Sequence, residues 1–268
     1  MRILLCCPIK NRDWILPTYL QRVLDLDYPK ELINIYWIIN NSTDNSLPML
    51  QQFKNEFSNV YESITIEVCN DTSVPDDTRS VAVRREYTYH WLAKLRNKLV
   101  DKTLRLDCDF MFSTDSDILL KPETLYQLMS HDEHIVSSLV YNGYLHVPKG
   151  VPKDYSPIEN AYRFPNILRF NEEEGIYKHV VSSRTRKPSA CPIGHLIPVH
   201  FTGACILVSK EACSKARYGY YKYGEDEAFC KSARDSGYNI YCDVSMFNYH
   251  IMSPKLLELY LHGLFPSN

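Results

Sequence analysis

The chain of 268 residues has almost no excess of either charge: 30 Lys and Arg stand against 32 Asp and Glu, a net −2. Nucleic acid is held mainly through its phosphates, so such a partner has no bulk electrostatic support and none is expected. Local clusters of basic residues remain available for single phosphate groups. No run approaches the ~20 consecutive apolar residues of a membrane span, so no transmembrane segment is expected. The apolar opening Arg2-Ile3-Leu4-Leu5-Cys6-Cys7 is ended by Pro8 and is too short for the apolar region of a signal peptide; it reads as a buried strand. No Cys-x-x-Cys pair occurs among the nine cysteines, which argues against a zinc knuckle or a thioredoxin-type motif. An odd number of cysteines, mostly inside apolar runs, points to reduced, buried thiols and a cytoplasmic protein. In that setting the Asn-x-Ser/Thr triplets at Asn40, Asn41 and Asn70 carry no glycosylation. The first strand is not followed by Gly-x-Gly-x-x-Gly, which argues against a dinucleotide cofactor, and the absence of Gly-x-x-x-x-Gly-Lys excludes a Walker-type phosphate loop.

What is present is an ordinary globular balance, 45% hydrophobic and 23% charged, with enough chain for one large α/β domain or two small ones. Strands and helices alternate through the first half. Ile3–Ile9, Ile33–Ile39, Ser63–Val68, Asp109–Thr114 and His134–Tyr141 read as strands. Trp14–Leu26, Leu47–Phe57 and Ser80–Val100 carry apolar residues at helical spacing. Asp13 is expected to cap the first of these, and Pro122 to open a short helix. Such alternation implies a mostly parallel sheet with helices on both faces. From Asn142 to His200 prolines and tyrosines leave no clean period, which predicts a long functional loop. Order resumes with a strand at Gly203–Ser209, a helix from about Lys210 and an aromatic loop at Tyr218–Tyr223. A helix over Glu225–Ser236 is stopped by Gly237, and a short strand over Tyr238–Cys242 and a helix over Pro254–Phe265 follow. That last helix carries Leu256, Leu257, Tyr260, Leu261 and Leu264 as one stripe, suited to covering the core or capping a cleft.

The strongest local signal is Thr114-Asp115-Ser116-Asp117, at the end of an apolar strand. Ligands of open α/β sheets bind beyond the carboxyl ends of the strands. Two carboxylates two residues apart at such an end suit Mg2+ or Mn2+ through oxygen ligands; the alternative is a solvated turn. The endings Pro8-Ile9-Lys10-Asn11-Arg12 and Asn40-Asn41-Ser42-Thr43-Asp44 belong on the same edge, where they fit a base, a ribose and a pyrophosphate. Without a Gly-rich loop the phosphates need another counter-charge, which a metal on Asp117 provides. Glu225-Asp226-Glu227 opens a helix. Acids there complement the helix dipole, and one facing a cleft can act as a general base. The helix start favours ionised Asp226, while its two acidic neighbours oppose ionisation. Helical spacing sends the three side chains in different directions, so one is expected to face the cleft. His250, after a short strand, is either structural or a ligand.

Taken in order, Pro8 to Arg12, Asn41 to Ser46, Leu95-Arg96-Asn97 on a helix, Asp115-Ser116-Asp117, Glu225-Asp226 and His250 resemble the GT-A fold of glycosyltransferases, the family-2-like group especially. The likeness spans nearly the whole chain. Leu26 to Glu31, Lys94-Leu95-Arg96, the Asp115 segment with Leu119, and Pro198-Val199-His200 are also similar to the glycosyltransferase domains of collagen galactosyltransferases and lysyl-hydroxylase-type enzymes. The resemblance implies a single GT-A domain over 1–268, an α/β Rossmann-like nucleotide-binding fold with a mixed central sheet and helices on both faces. Residues 1–141 would bind the nucleotide-sugar, and 142–268 would form the acceptor-binding and catalytic part. Pro8, Asn11, Arg12, Asn41, Asp44, Arg96, Asp115 and Ser116 would contact the donor, a UDP-sugar for preference. Asp115, Asp117 and His250 would hold Mn2+ or Mg2+. Asp226 would be the base of an inverting transfer, with Glu225 beside it, and Arg79, Arg84 or Lys94 would bind phosphate. The acceptor would be a hydroxyl of a glycan, a protein or a small molecule; collagen is not carried over, because no hydroxylase domain is expected. A retaining GT-A enzyme using a GDP- or UDP-sugar shares the same metal triad. Two readings lie outside the resemblance. A nucleotidyltransferase wants a Gly-rich basic loop where Cys6-Cys7-Pro8-Ile9-Lys10 offers no glycine. A non-catalytic carbohydrate-binding protein has no need of the intact Asp115, Asp117, Asp226 and His250.

Overall fold

A computed structural model describes residues 1–71, 81–144, 162–186 and 188–263. In chain order β1 (Ile3–Ile9) is followed by α1 (Leu16–Leu24), β2 (Ile33–Ile39), α2 (Ser46–Phe57), β3 (Ser63–Val68) and the long α3 (Val81–Arg105). Next come β4 (Phe110–Thr114), β5 (Ile118–Leu119), α4 (Thr124–Met129), β6 (Ile135–Leu139) and β7 (Tyr141–Tyr144). Then follow β8 (Tyr162–Pro165), β9 (Ile167–Asn171), β10 (Ile176–His179), the one-turn α5 (Ser183–Arg186), β11 (Leu196–Pro198), β12 (Phe201–Thr202) and β13 (Cys205–Ser209). The chain ends its described part with α6 (Lys210–Lys215), α7 (Glu225–Asp235), β14 (Tyr241–Phe247), β15 (Tyr249–His250) and α8 (Pro254–Leu261).

Eight strands form one mixed sheet in the order β11-β14-β6-β13-β4-β1-β2-β3. β1 to β4 run parallel to one another, whereas β13 runs antiparallel between β4 and β6. β2 is buried along its whole length, as an apolar run without alternation requires of a strand covered on both faces. Alternation along β1 sends Ile3, Leu5, Cys7 and Ile9 to one layer and Leu4 and Cys6 to the other. The first layer is closed by α1, α2, α4 and α8, through residues such as Tyr19, Phe53, Leu125 and Leu256. The second is closed by α3, α6 and α7, through Leu95, Leu99, Cys213 and Phe229. Because β1, β2 and β4 are parallel, the segments after Ile9, Ile39 and Thr114 leave the sheet at one edge. Among the described residues no helix is long and apolar enough to cross a membrane, and seven of the nine cysteines are buried.

Several elements differ from the expectation, each for a local reason. Asp13 does not cap α1, which begins at Leu16 with Ile15 in the cap position; Asp13 instead accepts a bond from the Asn45 N–H at 3.3 Å. Pro122 precedes α4 in a turn, and its carbonyl accepts from the Asp27 N–H at 2.8 Å. α3 runs on to Arg105, and Thr103, buried within that last turn, donates its hydroxyl to the Leu99 carbonyl at 2.9 Å. The segment from Asn142 to His200 is not one loop. Its described residues hold short antiparallel pairs, β7 with β8 and β9 with β10 and β12, and Pro165 and Pro198 sit at strand ends where no further N–H is needed. The last sheet strand lies at Tyr241–Phe247 rather than Tyr238–Cys242. Asp243 inside it is fully buried and accepts from the Ser245 and Met246 N–H groups, Gln127 and His131, a bulge that reads in sequence as a break. α8 packs Leu256, Leu257 and Leu259 onto the first layer and so covers the core; Leu264 lies outside the described residues.

Candidate functional site

The loops after β1 and β2 are stitched to each other. The Asn11 N–H donates to Ser42 Oγ at 3.0 Å and the Thr43 N–H donates back to Asn11 Oδ1 at 2.9 Å. The Arg12 N–H donates to Ser46 Oγ at 2.8 Å, and the Asp13 N–H to Asp44 Oδ2 at 2.9 Å. Asn11 and Asn41 both take positive φ, 51° and 47°, which Asn tolerates better than most residues. Asn41 in turn exchanges bonds with the backbone of Asp71, each at 2.8 Å. The side chains of Asn11, Asn41 and Asp44 therefore brace the sheet edge. They leave Pro8, Lys10, Arg12 and Asn40 to line a cleft of about 180 Å³ together with Leu92, Arg96, Asp115, Ser116 and Asp117.

Arg96 projects from α3 under that cleft and is the hub of its charge. Its side chain is 6% exposed, with Nη2 at 2.8 Å from Asp115 Oδ1, and Nε at 3.2 Å from Glu225 Oε1 and 3.6 Å from Asp226 Oδ1. One guanidinium thus faces three carboxylates. Burial outweighs the pull of Arg96 on Asp226, Glu225 and Asp115 add to the rise, and the Asp226 carboxyl is pushed up to about 7. Both Glu225 and Asp226 reach Arg96, where sequence spacing predicted that one acid would face the cleft. Glu227 points elsewhere, and accepts from the Tyr223 N–H at 2.9 Å. α7 starts on Gly224, whose φ of 123° is reserved for glycine.

Gly203, between β12 and β13, lies against the Asp226 carboxylate. A Cβ built on it would stand 2.1 Å from Asp226 Oδ2 and 2.5 Å from its Cγ. Gly203→Ala is therefore expected to push Asp226 off Arg96 and to destabilise the fold by about 1–3 kcal/mol, the usual cost of overpacking. Urea unfolding measures it, and wild-type stability would show that Asp226 swings aside freely.

Asp117 and His250 meet because β5 and β15 pair as a two-stranded ribbon, with His250 opposite Ile118. The Ile251 N–H also donates to the Asp117 carbonyl at 2.8 Å. His250 Nε2 lies 3.6 Å from Asp117 Oδ1, while Arg12 Nη2 lies 3.4 Å from Oδ2. His250 Nδ1 is 3.1 Å from Asn142 Oδ1, which fixes the ring. Burial raises the Asp117 carboxyl, His250 and Arg12 oppose that rise, and Asp115 adds to it. A part-buried carboxylate next to an imidazole nitrogen is a donor pair that suits Mn2+ or Mg2+. Asp115, the third expected ligand, is turned to Arg96. Among the described residues no three His, Cys, Asp or Glu side chains converge as a ready cage.

The cleft thus gathers Pro8, Arg12, Arg96, Asp115, Ser116 and Asp117 from the sequence reading, with Glu225, Asp226 and His250 at its border. Arg79 and the side chain of Arg84 lie outside the described residues, and Lys94 rests over the Trp91 ring at 6.0 Å. Lys10 and Asn40 lie within the strand endings that sequence reading gave to the donor, though it did not single them out, and it assigned no role to Leu92 or Gly203. Nothing local marks Leu92 or Gly203, because their roles come from distant chain.

Comparison with known proteins bears out the resemblance. The chain is 24% identical over 285 residues to the "Mannan polymerase II complex anp1 subunit" of Schizosaccharomyces pombe, covering 95% of this chain and 65% of that protein. It is 24% identical over 140 residues to a "Glycosyltransferase 25 family member" of Aedes aegypti, covering 52% of this chain and 23% of that protein. The chain therefore spans less than two thirds of either relative. Among solved structures, the mannosyltransferase PcManGT from Pyrobaculum calidifontis in complex with GDP-Man and Mn2+ superposes with a TM-score of 0.53 at 12% identity, over 93% of this chain and 57% of that one. The fold is GT-A. The Anp1 family model matches residues 1–166, well over half of the chain, and the protein belongs to the Anp1 family.

Proposed function

We propose that the protein is a metal-dependent glycosyltransferase that moves a sugar from a nucleoside diphosphate donor to an acceptor hydroxyl, with Asp226 as the base of an inverting transfer. The observation that carries this reading is the meeting of two charge systems at one sheet edge: Asp117 with His250, and Arg96 with Glu225 and Asp226. In this reading residues 1–141 serve the donor, and 142–268 supply the acceptor wall and the base. Arg12, whose buried Nε has no partner among the described residues, and Lys10 bring positive charge to the diphosphate. Asp117 and His250 would hold the divalent ion, whose chemistry is to neutralise the leaving diphosphate. Asp226 takes the proton of the acceptor hydroxyl. The oxygen bonds to the anomeric carbon as the bond from that carbon to the diphosphate oxygen breaks. Arg96 holds Asp226 in place and steadies its charge. A UDP-sugar is the preferred donor, after the likeness to collagen-type transferases. A GDP-sugar is the second candidate, because one relative carries mannan in its name and the solved neighbour holds GDP-Man with Mn2+.

Thermal melting with UDP-, GDP- and dTDP-sugars, each with and without Mn2+, tests this. A ligand at 100 times its Kd adds about 2.7 kcal/mol to stability, and one donor with Mn2+ is expected to do so. Asp117→Asn is expected to remove the metal-dependent part, and His250→Ala to weaken it without unfolding the chain. If no nucleotide raises the melting temperature, the proposal fails. If Asp117→Asn binds as the wild type does, the metal does not sit on Asp117.

A further inference from the structure

A second cavity, of about 410 Å³, opens beside the first turns of α7 and is lined by neither Arg96 nor Asp117. Four aromatic residues wall it: Phe170, Tyr177, Tyr221 and Tyr223. Tyr177 stands edge-on to both Phe170 and Tyr223, with centroids 5.3 and 5.6 Å apart, so three of the rings form one continuous surface. Phe170, Tyr221 and Tyr223 are each about two fifths exposed, an unusual concentration of open aromatic surface in one place.

Beneath the rings lies Glu227, which is fully buried. Its Oε2 accepts from the Tyr223 N–H at 2.9 Å, but its Oε1 has no hydrogen-bond partner among the described residues. The nearby Tyr177 hydroxyl, which accepts from Arg234 Nη2 at 3.1 Å, favours the ionised carboxylate but makes no hydrogen bond to Oε1. A buried acceptor without a donor is costly unless a ligand or water meets it.

Positive groups also border the cavity, but each has a partner. Arg234 donates to the His200 carbonyl and to Tyr177. Lys231 pairs with Asp235 at 2.5 Å. Lys222 lies over the Tyr223 ring at 5.3 Å. With Asp235 against Lys231 and Glu227 against Arg234, Lys222 is left as the one uncompensated cation among the described lining residues, which is little to hold an anion. Open rings suit the C–H faces of a sugar, and a buried carboxyl oxygen suits one of its hydroxyls.

We propose that this cavity binds a neutral carbohydrate, the part of an acceptor glycan beyond the sugar that reacts. The proposal rests on the glycosyltransferase reading for its role, though not for the binding itself. Glu227 follows Asp226 directly on α7, so a glycan held there is anchored one residue from the base.

The test uses the full chain, with neutral manno-, gluco- and galacto-tetrasaccharides observed by saturation-transfer NMR. Calorimetry of UDP and GDP with Mn2+ runs alongside. Phe170→Ala and Tyr221→Ala remove exposed rings, so the fold is expected to survive, and thermal melting checks it. At least one tetrasaccharide is expected to bind, about tenfold weaker in each variant, with nucleotide affinity unchanged. The proposal is overturned if no tetrasaccharide binds the wild type, if both variants bind equally well, or if inorganic phosphate displaces the sugar. Should the variants lose the glycan while no nucleotide binds even the wild type, the carbohydrate site stands and the transferase reading falls.

Discussion

Asp226→Asn is expected to cut turnover by about 10²–10⁴-fold, the usual worth of a general base, while donor and metal affinity stay nearly unchanged. The substitution keeps the shape beside Gly203 and removes only the proton acceptor. The pH profile gives a second reading of the same group. Burial pushes the Asp226 carboxyl up to about 7 against the pull of Arg96, so the free enzyme gains its ionised base as pH rises through that value, and kcat/KM is expected to rise with it. Stability moves the other way. The folded chain holds this proton more tightly than the unfolded chain, whose Asp titrates near 3.9. Asp226 therefore favours folding fully below about pH 4, and that contribution is lost as pH rises to about 7. Both limbs should vanish in the Asn variant. Near-normal turnover would overturn the assignment and leave Glu225 or a retaining mechanism, which product stereochemistry by NMR would separate.

Arg96→Leu is expected to cost about 3–5 kcal/mol, the range for removing one partner of a buried charge pair. The guanidinium is nearly sealed from solvent and answers Asp115, Glu225 and Asp226 together. The lower end of the range is favoured, because Asp115 is 31% exposed and water relieves part of its charge. The loss should shrink in acid, as the stranded carboxylates take up protons. Urea unfolding at neutral and at mildly acidic pH measures both. A cost for Arg96→Leu below about 1 kcal/mol, the usual worth of an exposed ion pair, would mean that the carboxylates find other partners.

The parallel half of the sheet was legible in the sequence because β1, β2 and β4 are continuous apolar runs closed by polar turns. The same runs placed Asp115 and Asp117 at a strand end, and the family resemblance led to Asp226 and His250. What stayed hidden depends on pairing between distant segments. Asp243 and Ser245 look like loop residues until Gln127 and His131 are brought to them. Strands such as β9 and β10 span only five and four residues, too few to show a period among the prolines and tyrosines around them. Arg96 was read as a donor contact through the family resemblance; that three carboxylates surround it is a fact of folding. Asn11, Asn41 and Asp44 were read as donor contacts, but their side chains bind the backbone of neighbouring loops.

The order of the large sheet has a mechanical consequence. β1 to β4 form one parallel block, and β6, β11, β13 and β14 form a second, mixed one; the two are joined in the sheet only along the β4–β13 seam. The ladder of that seam is extended by the Asp115 N–H donating to the Ala204 carbonyl at 2.7 Å. Arg96 lies on one side of the seam, with Glu225 and Asp226 on the other, and Asp117 likewise faces His250 across it. A twist or slip between the blocks would thus register directly in these few ångströms, with no lever or relay between. The site is a gauge of how the two blocks sit, and whatever tightens the seam also sets the spacing at which its charges meet.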